Sequence, residues 1–243
     1  MGTVPGTTVP LLTRAEMGLR PRKGTAYPIQ AKPVLEGWEH HGGDGRAPTF
    51  PHSSCVAIWR AYQAYHMDVR EWTDIAYTFG ICPHGHVLEG RGWGVSGGHT
   101  KDRNTISYGL CHLGDYSATP CPPEGIAAAV ACWAWGIEAG WVSKSFVLGP
   151  HRAAPGASTS CPGDRLMPQL PTIRSGATAP PGAPPPPPPV VGATANLTVA
   201  DLMAIAEAVK SAMFPVEWNA HVGTQKKITE SEARIIAAIR EGG

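Results

Sequence analysis

Eight prolines fall between Pro180 and Pro189, and six of them are consecutive. Proline has no backbone N–H and a fixed φ, so neither a helix nor an interior strand can pass through such a stretch. Segment 176–193 therefore reads as a semi-rigid spacer, dividing the 243 residues into a larger unit, 1–175, and a smaller one, 194–243. The larger unit is long enough to enclose one good core. In the smaller, Thr198 precedes Asp201 and Thr229 precedes Glu232 by three residues, the pattern that satisfies free amides at a helix start. Leu202, Ile205, Ala206 and Val209 form one apolar stripe, and Ile235, Ile236 and Ile239 another. Two helices of this size have little core of their own, so they are expected to pack on the larger unit, self-associate, or order on a ligand.

Charge and hydropathy narrow the partners. A formal net charge of +1 gives no reason to invoke a nucleic acid, whose binding usually leaves a basic footprint, so no nucleic-acid partner is expected. No apolar run approaches the roughly 18 residues needed to cross a bilayer. The start lacks the basic-then-apolar pattern of a secretory signal. The expectation is a soluble chain made in the cytoplasm, without membrane insertion. Six cysteines are scattered along it, and an even count alone does not establish a disulfide framework. Mostly buried, reduced thiols are expected.

Within the larger unit, short strand-like segments at 77–82, 86–89 and 106–111 alternate with helical patterns at 56–66 and 126–138. Pro83-His84-Gly85 reads as a hairpin turn between the first two strands. The fold class that follows is α/β, with a mixed central sheet flanked by helices.

The chemistry-bearing residues are His40-His41 and, more than a hundred residues later, His151 and Cys161. Two imidazoles and a thiolate can hold a catalytic zinc and leave its fourth position open. A closed structural site would instead show its ligands as two tight local pairs. Spacing alone leaves the alternatives open that His151 is a surface histidine and Cys161 a small buried hydrophobe.

Five ordered words carry more. They are Leu12-Thr13-Arg14-Ala15-Glu16-Met17-Gly18-Leu19-Arg20-Pro21, Trp72-Thr73-Asp74-Ile75-Ala76-Tyr77-Thr78-Phe79, Glu89-Gly90-Arg91-Gly92-Trp93, Gly98-His99-Thr100 and Cys161-Pro162-Gly163. Together, over about Leu12 to Leu170, they resemble the zinc N-acetylmuramoyl-L-alanine amidases of the peptidoglycan-recognition-protein family, which include many phage endolysins. The resemblance implies Zn2+ held by His40, His151 and Cys161, with bacterial peptidoglycan as the partner. His40 aligns with the first histidine of the family's pair, and neighbours on a strand face opposite ways, so His41 would support the site or face the core.

It also implies roles around the metal. Tyr77 matches the family's active-site tyrosine and would orient water or donate to an oxyanion, where the alternative is a buried sheet tyrosine. Thr159 matches a position near the metal and would stabilise the transition state through its hydroxyl. Arg91, His99 and Asn104 lie in words that flank the substrate groove. A guanidinium there could pair with stem-peptide carboxylates, and each of the three also has a structural reading, as a strand-end ion pair, a core histidine and a turn cap. Gly42-Gly43 after the histidine pair, Met17 where tryptophan is usual, and a longer loop between His151 and Cys161 depart from the family pattern.

The implied activity is hydrolysis of the amide between the lactyl group of muramic acid and L-alanine, in a phage-type endolysin. The spacer and C-terminal helices would serve wall binding or oligomerisation. The competing reading is a non-catalytic peptidoglycan-binding protein of the same fold. Such members commonly lack a metal ligand, whereas His40, His151 and Cys161 are all present here. A zinc peptidase of unrelated fold would show a local H-E-x-x-H word, which the chain lacks.

Overall fold

The computed structural model describes residues 2–179. The proline spacer from Pro180 onward and both expected C-terminal helices lie outside the described residues. Seven strands form one mixed sheet: β1 (Gly2–Thr3), β2 (Pro10–Leu12), β3 (Val34–His41), β4 (Phe79–Cys82), β5 (His86–Glu89), β6 (Ser107–His112) and β7 (Val142–Pro150), in spatial order β1-β2-β5-β4-β6-β3-β7. The β4–β5 and β1–β2 pairs are antiparallel and the other four parallel. The β4–β5 hairpin closes through Gly85, whose φ of 83° suits a residue without a Cβ.

Strand residues point alternately to the two faces, and each face has its own core. On one, Phe79, Ile81, Val87, Tyr108 and Leu110 pack with Trp133 and Cys132 of α2 (Pro123–Glu138) and Ile173 of α3 (Leu170–Ala177). On the other, Cys82, Leu88 and Cys111 pack with Ile58, Trp59 and Tyr62 of α1 (Ser54–Ala64) and with Met17. Met17, 2% exposed, sits in this second core. α2 opens with a proline in its first turn and Glu124 beside it, both suited to a helix N-terminus. It is followed by Gly140 at φ 73°, whose N–H reaches the Ile137 carbonyl at 3.0 Å.

The expected strand at 106–111 is β6, shifted by one residue, and that at 77–82 starts later, at Phe79: the Tyr77 and Thr78 carbonyls accept from the N–H groups of Gly90, Arg91 and Gly92, while the Thr78 N–H still reaches Gly109 of β6. α3 runs to Ala177, two residues past the expected end of the larger unit. No helix among the described residues is long and apolar enough to cross a membrane.

One expectation about the cysteines is corrected. Cys55 of α1 and Cys82 of β4 are bonded as a disulfide, while Cys111, Cys121, Cys132 and Cys161 are free and buried. Sequence distance concealed the pair, because only the packing of α1 on the sheet brings their Cα atoms to 6.0 Å.

Candidate metal centre and groove

His40 and His41 end β3, an inner strand between β6 and β7. His151 opens a short 3-10 turn directly after β7, the neighbour of β3. Parallel pairing thus carries both histidine segments to the same edge of the sheet. The loop after His151 then brings Cys161 back: its Sγ lies 3.8 Å from His40 Nδ1, and the His40 and His151 ring centroids are 4.5 Å apart. One donor atom from each of His40, His151 and Cys161 lies within 4.8 Å of the others.

Of the adjacent histidines, His40 is the one turned to Cys161. The His41 ring faces the other way, accepting the Tyr116 N–H at Nδ1 over 3.1 Å, while its own backbone N–H points at the Cys161 sulfur over 3.4 Å. Gly43, at φ 60°, leaves room for the His41 ring, which a Cβ there would meet at 3.3 Å. That gives the Gly42-Gly43 departure from the family pattern a local reason.

The loop carrying Cys161 is clamped. Arg152 donates from its backbone N–H to the Cys161 carbonyl (2.9 Å) and from its side chain to the Ser160 carbonyl and Asp164 (Nη1 to Oδ1, 2.7 Å). Thr159 is exposed, and its Oγ1 accepts the Cys161 N–H over 3.1 Å. The hydroxyl therefore orients a ligand residue directly. Arg152 was not singled out from the sequence, although its place beside His151 was the available signal.

Electrostatics favour neutral donors. Burial, with His99 and His151 nearby, holds His40 well below the usual histidine range, and burial also lowers His151. Burial pushes the Cys161 thiol up to about 12, against the His41 N–H and Arg152, which favour the thiolate. Neutral imidazoles and a thiol that surrenders its proton to a cation are the donor set zinc takes. The residues present fit that metal.

Tyr77 partly opens to solvent, with its ring 5.3 Å from that of His40 and stacked on Trp59 at 6.1 Å. Burial, then Cys111 and Cys161, raise its phenol well above the usual value, so it stays a protonated donor.

His99 lies behind His40, not in front of the metal position. Its Nδ1 is 3.3 Å from His40 Nε2 and 3.0 Å from Thr100 Oγ1, and burial lowers it to about 3. The ring rests on Gly109 of β6, where an added Cβ would come within 2.5 Å of it. Partners that fix a metal-binding histidine from behind commonly set its tautomer and orientation.

Arg91, His99, Asn104 and His151 share one groove of about 680 Å³ with Arg70, Glu71, Trp72 and Lys101. Within it, Arg91 donates to the carbonyls of Ile75 (2.6 Å), Ser96 (2.8 Å) and Asp74 (3.4 Å). Asn104 Oδ1 accepts the Thr100 N–H over 2.9 Å. Both side chains thus hold the groove wall. Arg70 and Lys101 add cationic charge that the sequence reading did not single out.

The sequence words converge as well: Arg14 pairs with Asp74 at 3.0 Å and donates to the Gly90 carbonyl, and its N–H binds Glu89 at 2.9 Å.

The profile of the N-acetylmuramoyl-L-alanine amidase family matches residues 40–164, from the first candidate ligand to just past the last. The chain belongs to the N-acetylmuramoyl-L-alanine amidase family. Among the chain's relatives is the N-acetylmuramoyl-L-alanine amidase of Sus scrofa, 33% identical over 164 residues, 65% of this chain and 26% of the pig protein. The chain thus spans about a quarter of that relative. Peptidoglycan-recognition protein SC2 of Drosophila melanogaster is 31% identical over 68% of this chain and 86% of its own length. Among solved structures, wild-type Drosophila PGRP-LB superposes with a TM-score of 0.63 at 31% identity, covering 67% of this chain and 93% of its own. Peptidoglycan recognition protein-LE, solved in complex with tracheal cytotoxin, a monomeric diaminopimelic acid-type peptidoglycan, superposes at 0.62 with 28% identity, covering 67% and 92%. The chain shares their mixed sheet with flanking helices.

Proposed function

We propose that this chain is a zinc-dependent N-acetylmuramoyl-L-alanine amidase that cleaves the amide between the lactyl group of muramic acid and L-alanine in bacterial peptidoglycan. The observation that carries the reading is the convergence of His40, His151 and Cys161 within 4.8 Å, beside a groove that His151 also lines. Zinc, when bound there, supplies Lewis acidity toward a carbonyl and an activated water near neutral pH.

The chain's own groups do the rest. Tyr77, kept protonated, donates a hydrogen bond toward the oxygen that gains charge as the amide carbon becomes tetrahedral. Thr159 and Arg152 hold Cys161, and His99 holds His40, so two of the three ligands are fixed by their neighbours. Arg70 and Lys101 on the groove wall attract the carboxylates of a stem peptide. Peptidoglycan as ligand is supported by the relative solved with tracheal cytotoxin. The biological setting we propose is a phage endolysin, made in the cytoplasm of the host and released onto the wall, with the segment beyond the proline spacer serving wall binding or self-association.

The decisive experiment incubates purified cell walls with wild-type protein, chelated protein and Cys161→Ser. The expected result is new alanine amino termini with wild type and none with the other two. Tight wall binding by wild type without new termini, across walls of several peptide chemistries, would establish the binding-protein reading instead.

A further inference from the structure

A second group of metal-type ligands lies away from the groove. His52, in the loop entering α1, and Cys55, in its first turn, face Cys82 at the end of β4 and His84 in the β4–β5 turn. One donor atom from each of the four lies within 4.8 Å of the others. Cys82 Sγ is 3.5 Å from His52 Nδ1 and 3.3 Å from His84 Nδ1, and Cys55 Sγ is 3.6 Å from His84 Nδ1. A tetrahedral zinc with ordinary Zn–S and Zn–N bonds separates its ligand atoms by about 3.3–3.8 Å, so the nitrogen-to-sulfur edges already have the dimensions of such a site.

The disulfide that joins Cys55 and Cys82 does not account for the histidines. Bonded sulfurs are weak hydrogen-bond acceptors, yet two imidazoles turn a ring nitrogen toward them. Both rings are themselves supported: His86 packs over His52 at 4.0 Å between centroids, its Nδ1 lies 3.2 Å from the His84 carbonyl, and the Phe50 ring stands edge-on to that of His84 at 6.0 Å. In sequence the four form two tight local pairs, His52-x-x-Cys55 and Cys82-x-His84, and structural zinc sites likewise draw their ligands as two local pairs.

We infer that, in the dithiol form of the chain, His52, Cys55, Cys82 and His84 bind a structural zinc ion, separate from the His40–His151–Cys161 centre. A dithiol reductant supplies the two electrons and two protons that convert the disulfide to two thiols and is itself oxidised to a disulfide. Zinc then displaces both thiol protons and forms two Zn–S and two Zn–N bonds. With four protein ligands the site is closed to substrate. It ties the start of α1 to the β4–β5 hairpin across 27 residues of sequence.

The test uses the full chain, reduced with a dithiol, freed of reductant without air and loaded with zinc or cobalt. The wild type is expected to hold two zinc ions and Cys161→Ser one. Cobalt-loaded Cys161→Ser is expected to keep a near-ultraviolet thiolate-to-cobalt charge-transfer band from the second site, since Cys111, Cys121 and Cys132 are buried and belong to neither donor cluster. Adding His52→Ala and His84→Ala should remove both the ion and the band. His151→Ala, which leaves every cysteine in place, provides an independent one-ion variant. If the reduced wild type holds one zinc, and both Cys161→Ser and His151→Ala are folded by circular dichroism but hold none, the inference is overturned and the cysteine pair is a disulfide only.

Discussion

Arg152 bonds the Cys161 carbonyl through its own backbone N–H at 2.9 Å, so the residue beside one candidate ligand holds the backbone of another. The guanidinium fastens the same loop at Ser160 and Asp164. Arg152→Ala keeps the backbone bond but frees the loop, and should weaken zinc binding by about 10–100-fold, as loss of an outer-shell partner commonly does. Competition with a chromophoric chelator measures this; unchanged affinity would show that the backbone bond suffices.

Tyr77→Phe keeps the ring between His40 and Trp59 and removes only the donor. The expected effect is a fall in kcat of about 10²–10³-fold, the usual loss for one oxyanion donor, with KM and zinc content unchanged. Equal kcat in the two proteins would reduce Tyr77 to a packing residue.

Gly109→Ala drives a methyl group into the His99 ring, 2.5 Å away in the present geometry. Since His99 lies behind His40, the variant should lose zinc affinity as well as stability, the latter by about 1–3 kcal/mol, typical of overpacking. Denaturant unfolding with and without zinc separates the two effects. A variant with lower stability but wild-type zinc affinity would show that His99 does not position His40.

On the opposite face of β3, Glu39 is fully buried and accepts from Trp133 at 2.7 Å, with His112 Nε2 2.9 Å away. Burial opposes charge on His112, but Cys121 and Glu39 prevail and raise it to about 10. An unfolded histidine titrates near 6.5. The stabilisation from this raised value is complete below about pH 6.5 and fades as pH rises through about 10. Melting temperature should therefore fall across that window in wild type and more shallowly in Glu39→Gln. The variant should also be less stable at neutral pH by about 3–5 kcal/mol, because one member of a buried pair is left alone. Parallel pH profiles for the two proteins would remove the pair from this account.

The sequence reading reached furthest where periodicity or an ordered word carried the signal. β5 spans 86–89 as read, and α2 and β6 differ from expectation only at their ends. β3 is not delimited by its pattern, because a buried parallel strand lacks the alternation that marks a half-exposed one; it reads Val-Leu-Glu-Gly-Trp-Glu-His-His, with two acidic residues in it. Glu39 could not be recognised as buried without knowing that Trp133 and His112, from 94 and 73 residues away, would meet it. Arg91 shows the converse: its motif was legible, but the three carbonyls it serves are brought together only by the folded loop.

The donors of the two metal-type clusters are drawn from the chain very differently, and this sets an order in time. His52, Cys55, Cys82 and His84 are all synthesised early, and closing their short loop needs only α1 and one hairpin. The other centre lacks two of its three donors until β7 and the turns after it have been made and laid beside β3, with 121 residues separating His40 from Cys161. A chain truncated before residue 151, or still on the ribosome at that point, holds one imidazole of the three-donor set. Assembly of the three-donor centre is therefore a late event in the life of each molecule, and it waits on the edge strand that completes the sheet.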